Sequence, residues 1–123
     1  MKLSEENLAL RISRLLYDRK AEDLVALRVA QLTVLTDYLV IATGRNALHV
    51  RGLADHLEQQ LAQEGLIPRR VEGRTDAAWL VMDYQNVIVH LFKPDARAYY
   101  RLERLWDDGR NRIELPFEEL LEA

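Results

Sequence analysis

Tyr38-Leu39-Val40-Ile41-Ala42-Thr43-Gly44-Arg45-Asn46 decides how this chain is read. Its first six residues are apolar or β-branched on both parities, and a glycine stops them. A strand with two greasy sides belongs in the middle of a sheet covered on both faces. Gly44-Arg45-Asn46 then makes a tight strand-to-helix turn, with Asn46 as the cap. Val50, Leu53, Ala54, Leu57 and Leu61 follow at helical spacing, and Glu64-Gly65 supplies the glycine stop.

Upstream, Ser4 caps a first helix that carries Glu5 and Glu6 in its opening turn, where the helix dipole favours acids. Leu8, Ile12, Leu15 and Leu16 form its stripe, which runs to about Arg19. Asp23 to Val29 reads as a strand, and Gln31 to Thr36 as a polar-interrupted connection. Downstream, Pro68 to Glu72 suits a short edge strand, because proline cannot donate to a ladder. Ala78–Met82 and Val87–Phe92 form a hairpin about Asp83-Tyr84-Gln85-Asn86. Lys93-Pro94 opens a third helix, whose apolar stripe is Tyr99, Leu102, Leu105 and Trp106 and whose stop is Asp107-Asp108-Gly109. The remainder carries Phe117, Leu120 and Leu121 among four glutamates, and docking or fraying are both open to it. The expected fold is α/β, in the order α-β-β-α-β-β-β-α, with a mixed four- or five-stranded sheet flanked by about three helices. Residues 1–106 form the expected single domain and 107–123 a C-terminal tail.

The 123 residues suit one domain, and 49% hydrophobic with 30% charged residues supports one core rather than disorder. Seventeen Lys+Arg against 20 Asp+Glu give a net charge of −3, which argues against a protein that lives by gripping phosphate backbones. There is no cysteine, so disulfides, thiolate catalysis and Cys-based zinc sites are excluded. No apolar run approaches the ~20 residues of a membrane span. The start, Met1-Lys2-Leu3-Ser4-Glu5-Glu6, lacks the layout of a signal peptide, and its acids argue against a transit peptide. A cytoplasmic protein is expected.

Catalytic patterns are thin. His49 and His56 stand two helical turns apart, about 10 Å, too far to ligate one ion, and read as solvated helix-face histidines. His90 shares parity with Ile88 and Phe92 and reads as a hydrogen-bonded core or interface histidine. Asp37, Glu72 and Asp83 are the acid candidates, and their spacing asks for no paired-carboxylate site. The turn at Gly44-Arg45-Asn46 reads as a plain tight turn before it reads as an anion site. No cofactor, metal or catalytic residue is expected.

The hairpin argues for binding instead. Trp79 and Val81 point to one side while Leu80 and Met82 point to the other, and the next strand splits in the same way. Three helices leave some of two greasy faces uncovered, and such patches mark protein partners. Trp79 and Tyr84 are residue types that dominate interface energetics.

Four stretches carry a resemblance. They are Asp37 to Gly44, then Glu72-Gly73 with Trp79-Leu80-Val81-Met82-Asp83-Tyr84, then Val89-His90-Leu91-Phe92, and Tyr99 to Trp106. In that order and spacing the chain resembles the ribosomal silencing factor family (RsfS, also called Iojap), from about Leu8 to Trp106. The resemblance implies a nucleotidyltransferase-like fold without that activity. Consistent with the loss, Gly44 is followed by Arg45 and no Asp-x-Asp pair exists. It further implies binding to the large ribosomal subunit through ribosomal protein fourteen. That binding would sterically block small-subunit joining and lower translation when nutrients are scarce, with little direct nucleic-acid contact. On that reading Trp79, Leu80 and Tyr84 are apolar anchors, with Glu72 and Asp83 as charge partners. A homodimer through the same patch would compete with ribosome binding. The alternatives are a large-subunit assembly factor without an effect on joining and, further off, a phosphoryl-handling enzyme using Gly44, Arg45 and Asp83. An organelle-targeted relative would be expected to carry a longer basic N-terminal extension, so a bacterial cytoplasm is favoured.

Overall fold

In a computed structural model, which describes residues 4–115 and Phe117, the Tyr38–Thr43 stretch is a strand, β2, with all six residues buried. It runs parallel to β5 (Val87–Phe92) at the centre of a five-stranded sheet. With β1 (Glu22–Arg28), β3 (Arg70–Glu72) and β4 (Trp79–Asp83), the order across the sheet is β1-β2-β5-β4-β3. All other pairings are antiparallel, so the sheet is mixed as expected.

Strand parity sorts the core into two. Ala26, Val40, Leu80, Met82, Val89 and Leu91 face helices α1 (Glu5–Asp18) and α2 (Ala47–Gln63), which bury them completely or nearly so. The stripes Leu8-Ile12-Leu15-Leu16 and Val50-Leu53-Leu57-Leu61 supply the helix side of this layer. The Ser4 hydroxyl accepts from the Asn7 amide, and the Asn46 side chain from the His49 amide, so both expected caps form. Gly44 is needed where α2 approaches the sheet, because a Cβ there would lie 2.8 Å from Val50 Cγ2.

Val25, Leu27, Leu39, Ile41 and Phe92 point to the opposite face, where the expected third helix comes in two short pieces. These are α3 (Pro94–Tyr100) and α4 (Leu102–Trp106), separated by Arg101 in the left-handed region at φ 48°, ψ 48°. A continuous helix would have aimed Tyr99 and Leu105 at the sheet with Leu102 and Trp106; instead both are exposed. The break lets Leu102 and Trp106, one turn apart, reach this second layer.

The stretch after α4 packs back on the body as far as it is described. Arg28 donates its amide to Asn111 O and Ile113 donates to Ala26 O, which pairs the outer edge of β1. Phe117 packs against Tyr17, with ring centroids 4.8 Å apart. Leu120 and Leu121 lie outside the described residues.

Candidate functional site

The α3–α4 pair is short and covers only part of its face. On the β1–β2 side Val25, Leu27, Leu39 and Ile41 are buried, whereas toward β4 and β3 the residues of the same parity are not. Val81, Ile88 and His90 are only partly buried, and Arg70 and Glu72 are exposed. They border an apolar groove of about 300 Å³ that also takes in Leu35, Leu102 and Trp106 and is rimmed by Glu72 and Asp83. Beside it the 31–36 connection exposes Leu32, Val34 and Leu35 to solvent. Contiguous apolar surface with a charged rim is the usual form of a protein-docking site.

Trp79 stands at one end of this face. Its indole donates to His90 Nδ1 at 3.0 Å, and it stacks on Phe92 at 5.1 Å and against Tyr100 at 4.7 Å. Accepting at Nδ1 leaves the His90 proton on Nε2. Burial pushes the His90 pKa down to about 4, so the ring is neutral at physiological pH. Asp83 works partly on the hairpin: its carboxylate accepts from the Gln85 amide at 2.7 Å and pairs with Arg69 at 3.2 Å. Glu72 is the freer of the two acids, 64% exposed at its side chain and loosely paired with Arg70 at 3.6 Å.

Two of the five expected contact residues are elsewhere. Leu80 is fully buried under α1 and α2, and Tyr84 is buried in the same layer. The physical reason is parity: Leu80 and Tyr84 alternate with Trp79, Val81 and Asp83, and the helices cover their side. Burial also pushes the Tyr84 hydroxyl pKa well up, and that hydroxyl has no hydrogen-bond partner among the described residues. Trp79, Glu72 and Asp83 do fall on the open face. Val81, Ile88 and the apolar 32–35 segment were missed, although Val81 and Ile88 share parity with Trp79 and His90.

His49 is no solvated helix-face residue: its Nδ1 accepts from the Arg45 amide and its Nε2 contacts Arg19 O, both at 2.9 Å. It ties the end of α1 to the turn before α2. The enzyme grouping of Gly44, Arg45 and Asp83 is not assembled. Gly44 follows the Thr43–Phe92–Trp79 end of the sheet, while Asp83 pairs with Ile88 four residues, or about 13 Å, away.

Residues 2–122 match the family model described as ribosomal silencing factor during starvation. The chain belongs to the ribosomal silencing factor family. A ribosomal silencing factor of Halalkalibacterium halodurans is 37% identical over 92 residues, covering 75% of this chain and 79% of that protein. A crystal structure of a Chromobacterium violaceum protein superposes with a TM-score of 0.79 at 29% identity, covering 89% of this chain and 90% of the other. A more distant relative is the mouse mitochondrial assembly of ribosomal large subunit protein 1. It is 30% identical over 95 residues, which are 75% of this chain and 42% of the mouse protein. Among the described residues of this family member, no helix is long and apolar enough to cross a membrane.

Proposed function

We propose that this chain binds the large ribosomal subunit through ribosomal protein fourteen and sterically blocks joining of the small subunit, repressing translation under nutrient limitation. The observation that carries this reading is the half-covered sheet face, where Val81 and Ile88 line an apolar groove with Glu72 and Asp83 and Trp79 stands at one end. A chain of net charge −3, with the Glu72 carboxylate exposed at the edge of its apolar face, suits a basic protein partner, because complementary potentials speed encounter and fix register. A domain of this size can offer the ~800 Å² per partner of a standard interface. Steric blocking needs no catalytic group, so the nucleotidyltransferase-like arrangement serves as a scaffold and no metal or cofactor takes part. The site of action is the cytoplasm, and contact is chiefly with protein.

The mouse relative's name favours a second reading, a role in large-subunit assembly with the same partner and no effect on joining. Co-sedimentation with purified large subunits, with and without small subunits, separates the two. Silencing predicts binding to free large subunits and fewer joined ribosomes as the protein is added. Assembly predicts binding that leaves joining untouched. No binding overturns both.

A further inference from the structure

A second cavity, of about 790 Å³, lies at the end of the sheet away from the hairpin turn and shares no lining residue with the docking groove. β2 and β5 are the sheet's parallel pair, and the chain leaves their carboxyl ends toward opposite faces, through α2 on one side and α3 on the other. Crevices at such a place are where open α/β sheets bind ligands. Here Thr43 ends β2, Glu22 and Asp23 begin β1, Arg97 comes from α3, Arg104 from α4 and Arg101 from the break between them. The volume falls in the range of pockets that hold ligands of nucleotide size.

The charges are arranged, not merely numerous. Arg97 pairs with Glu103 at 3.1 Å and Arg112 pairs with Asp107 at 3.1 Å, so those four charges largely cancel. Arg101 and Arg104 on one wall, and Glu22 and Asp23 on the other, have no ion-pair partner among the described residues. Arg97 is the built part of the site, with its side chain only 10% exposed. Its Nε donates to Glu103, and its Nη1 donates to the Thr43 hydroxyl at 2.8 Å. Its Nη2 makes no hydrogen bond to any described residue, which leaves a planar donor edge for an oxyanion. Arg101, at the break between the two helices, and Arg104 both line the cavity, and the Arg104 amide donates to the Arg101 carbonyl at 3.0 Å.

We propose that this cavity binds a nucleoside phosphate. The phosphoryl oxygens accept from Arg97, Arg101 and Arg104, and ribose hydroxyls or a base amino group donate to Glu22 and Asp23. A wholly anionic ligand is disfavoured by the two carboxylates, which need donors opposite them. A nucleic-acid backbone is disfavoured for the same reason, since it would bring phosphates to both walls.

The test uses the full chain with ADP and GDP as probes, and adenosine, inorganic phosphate and a short single-stranded RNA as comparisons, read by calorimetry. The expected result is saturable binding of at least one nucleotide with Kd below about 1 mM, tighter than adenosine or phosphate. The double variant R101A/R104A is expected to bind at least tenfold more weakly while melting at the wild-type temperature, because both side chains are exposed. Asp23→Asn tests the other wall and tolerates the positive φ of 50° at that position. It is expected to weaken the nucleotide and leave inorganic phosphate unchanged. No saturation by either nucleotide, equal binding of adenosine, binding of RNA alone, or unchanged affinity in both variants would overturn the proposal.

Discussion

The indole N–H of Trp79 is held 3.0 Å from Nδ1 of His90, a donor that a protonated imidazole could not accept. His90 therefore has two reasons to stay neutral, its burial and this bond. With a pKa near 6.5 unfolded and about 4 folded, the unfolded chain binds more protons between those values. Stability consequently falls as pH drops from about 6.5 to about 4, and His90 has no such effect above that window. The loss is of the order of 3 kcal/mol, from about 2.5 units at 1.36 kcal/mol per unit. Denaturant melts across pH 4 to 7 should show a smaller acid-side decline in His90→Gln than in wild type. An identical decline would show that other groups carry it.

Parity predicts opposite phenotypes for neighbouring residues. Val81 is half-exposed on the open face, so Val81→Lys should fold normally yet lose binding to large subunits, by desolvating a cation against a basic partner. Leu80 is fully buried, so Leu80→Ala should cost about 2–5 kcal/mol and lower the melting temperature by roughly 10 °C or more. Its folded fraction should still bind. Co-sedimentation and thermal melts on the same two proteins check both halves, and a Val81→Lys protein that binds like wild type would remove the open face from the interface.

How much of this was legible depended on whether the deciding interaction was local. β2, β5, the Ser4 and Asn46 caps and the edge position of β3 follow from apolar β-rich runs, capping chemistry and one proline. The break at Arg101 does not, because Pro94 to Trp106 carries a continuous helical pattern. It is won by tertiary contacts, with Leu102 and Trp106 reaching the sheet and Arg97 reaching Glu103 and Thr43. The open face was half legible. Alternation separates Trp79 from Leu80, but which side the helices cover is settled by chain connections that no local pattern records. Leu32, Val34 and Leu35 lie in a connection, where apolar residues have no periodicity to reveal them.

Gly73 joins β3 to the loop before β4 at φ 90°, and a Cβ there would lie 2.1 Å from the Trp79 carbonyl oxygen. Backbone strain and the clash act together, so Gly73→Ala should destabilise by about 2 kcal/mol or more. The clash falls on the residue at one end of the open face, so the same substitution should also disturb the Trp79 environment. Tryptophan fluorescence and a thermal melt give the two readouts. A melt within a degree of wild type would mean that the loop relaxes freely.

The exposed groove and the apolar 32–35 segment are surface that a second copy of the chain would share with the proposed ribosomal partner. A two-fold dimer through this face is self-complementary, pairing each groove with its twin. If it forms, dimerisation hides Val81 and Ile88, and large subunits must draw from the monomer. Light scattering at tens of micromolar should then report a dimer that Val81→Lys converts to monomer, by placing like charges across the two-fold axis. Apparent affinity for large subunits should weaken as the protein concentration is raised into the dimer range. A strict monomer at those concentrations, or a dimer untouched by Val81→Lys, would leave the open face to the ribosomal partner alone.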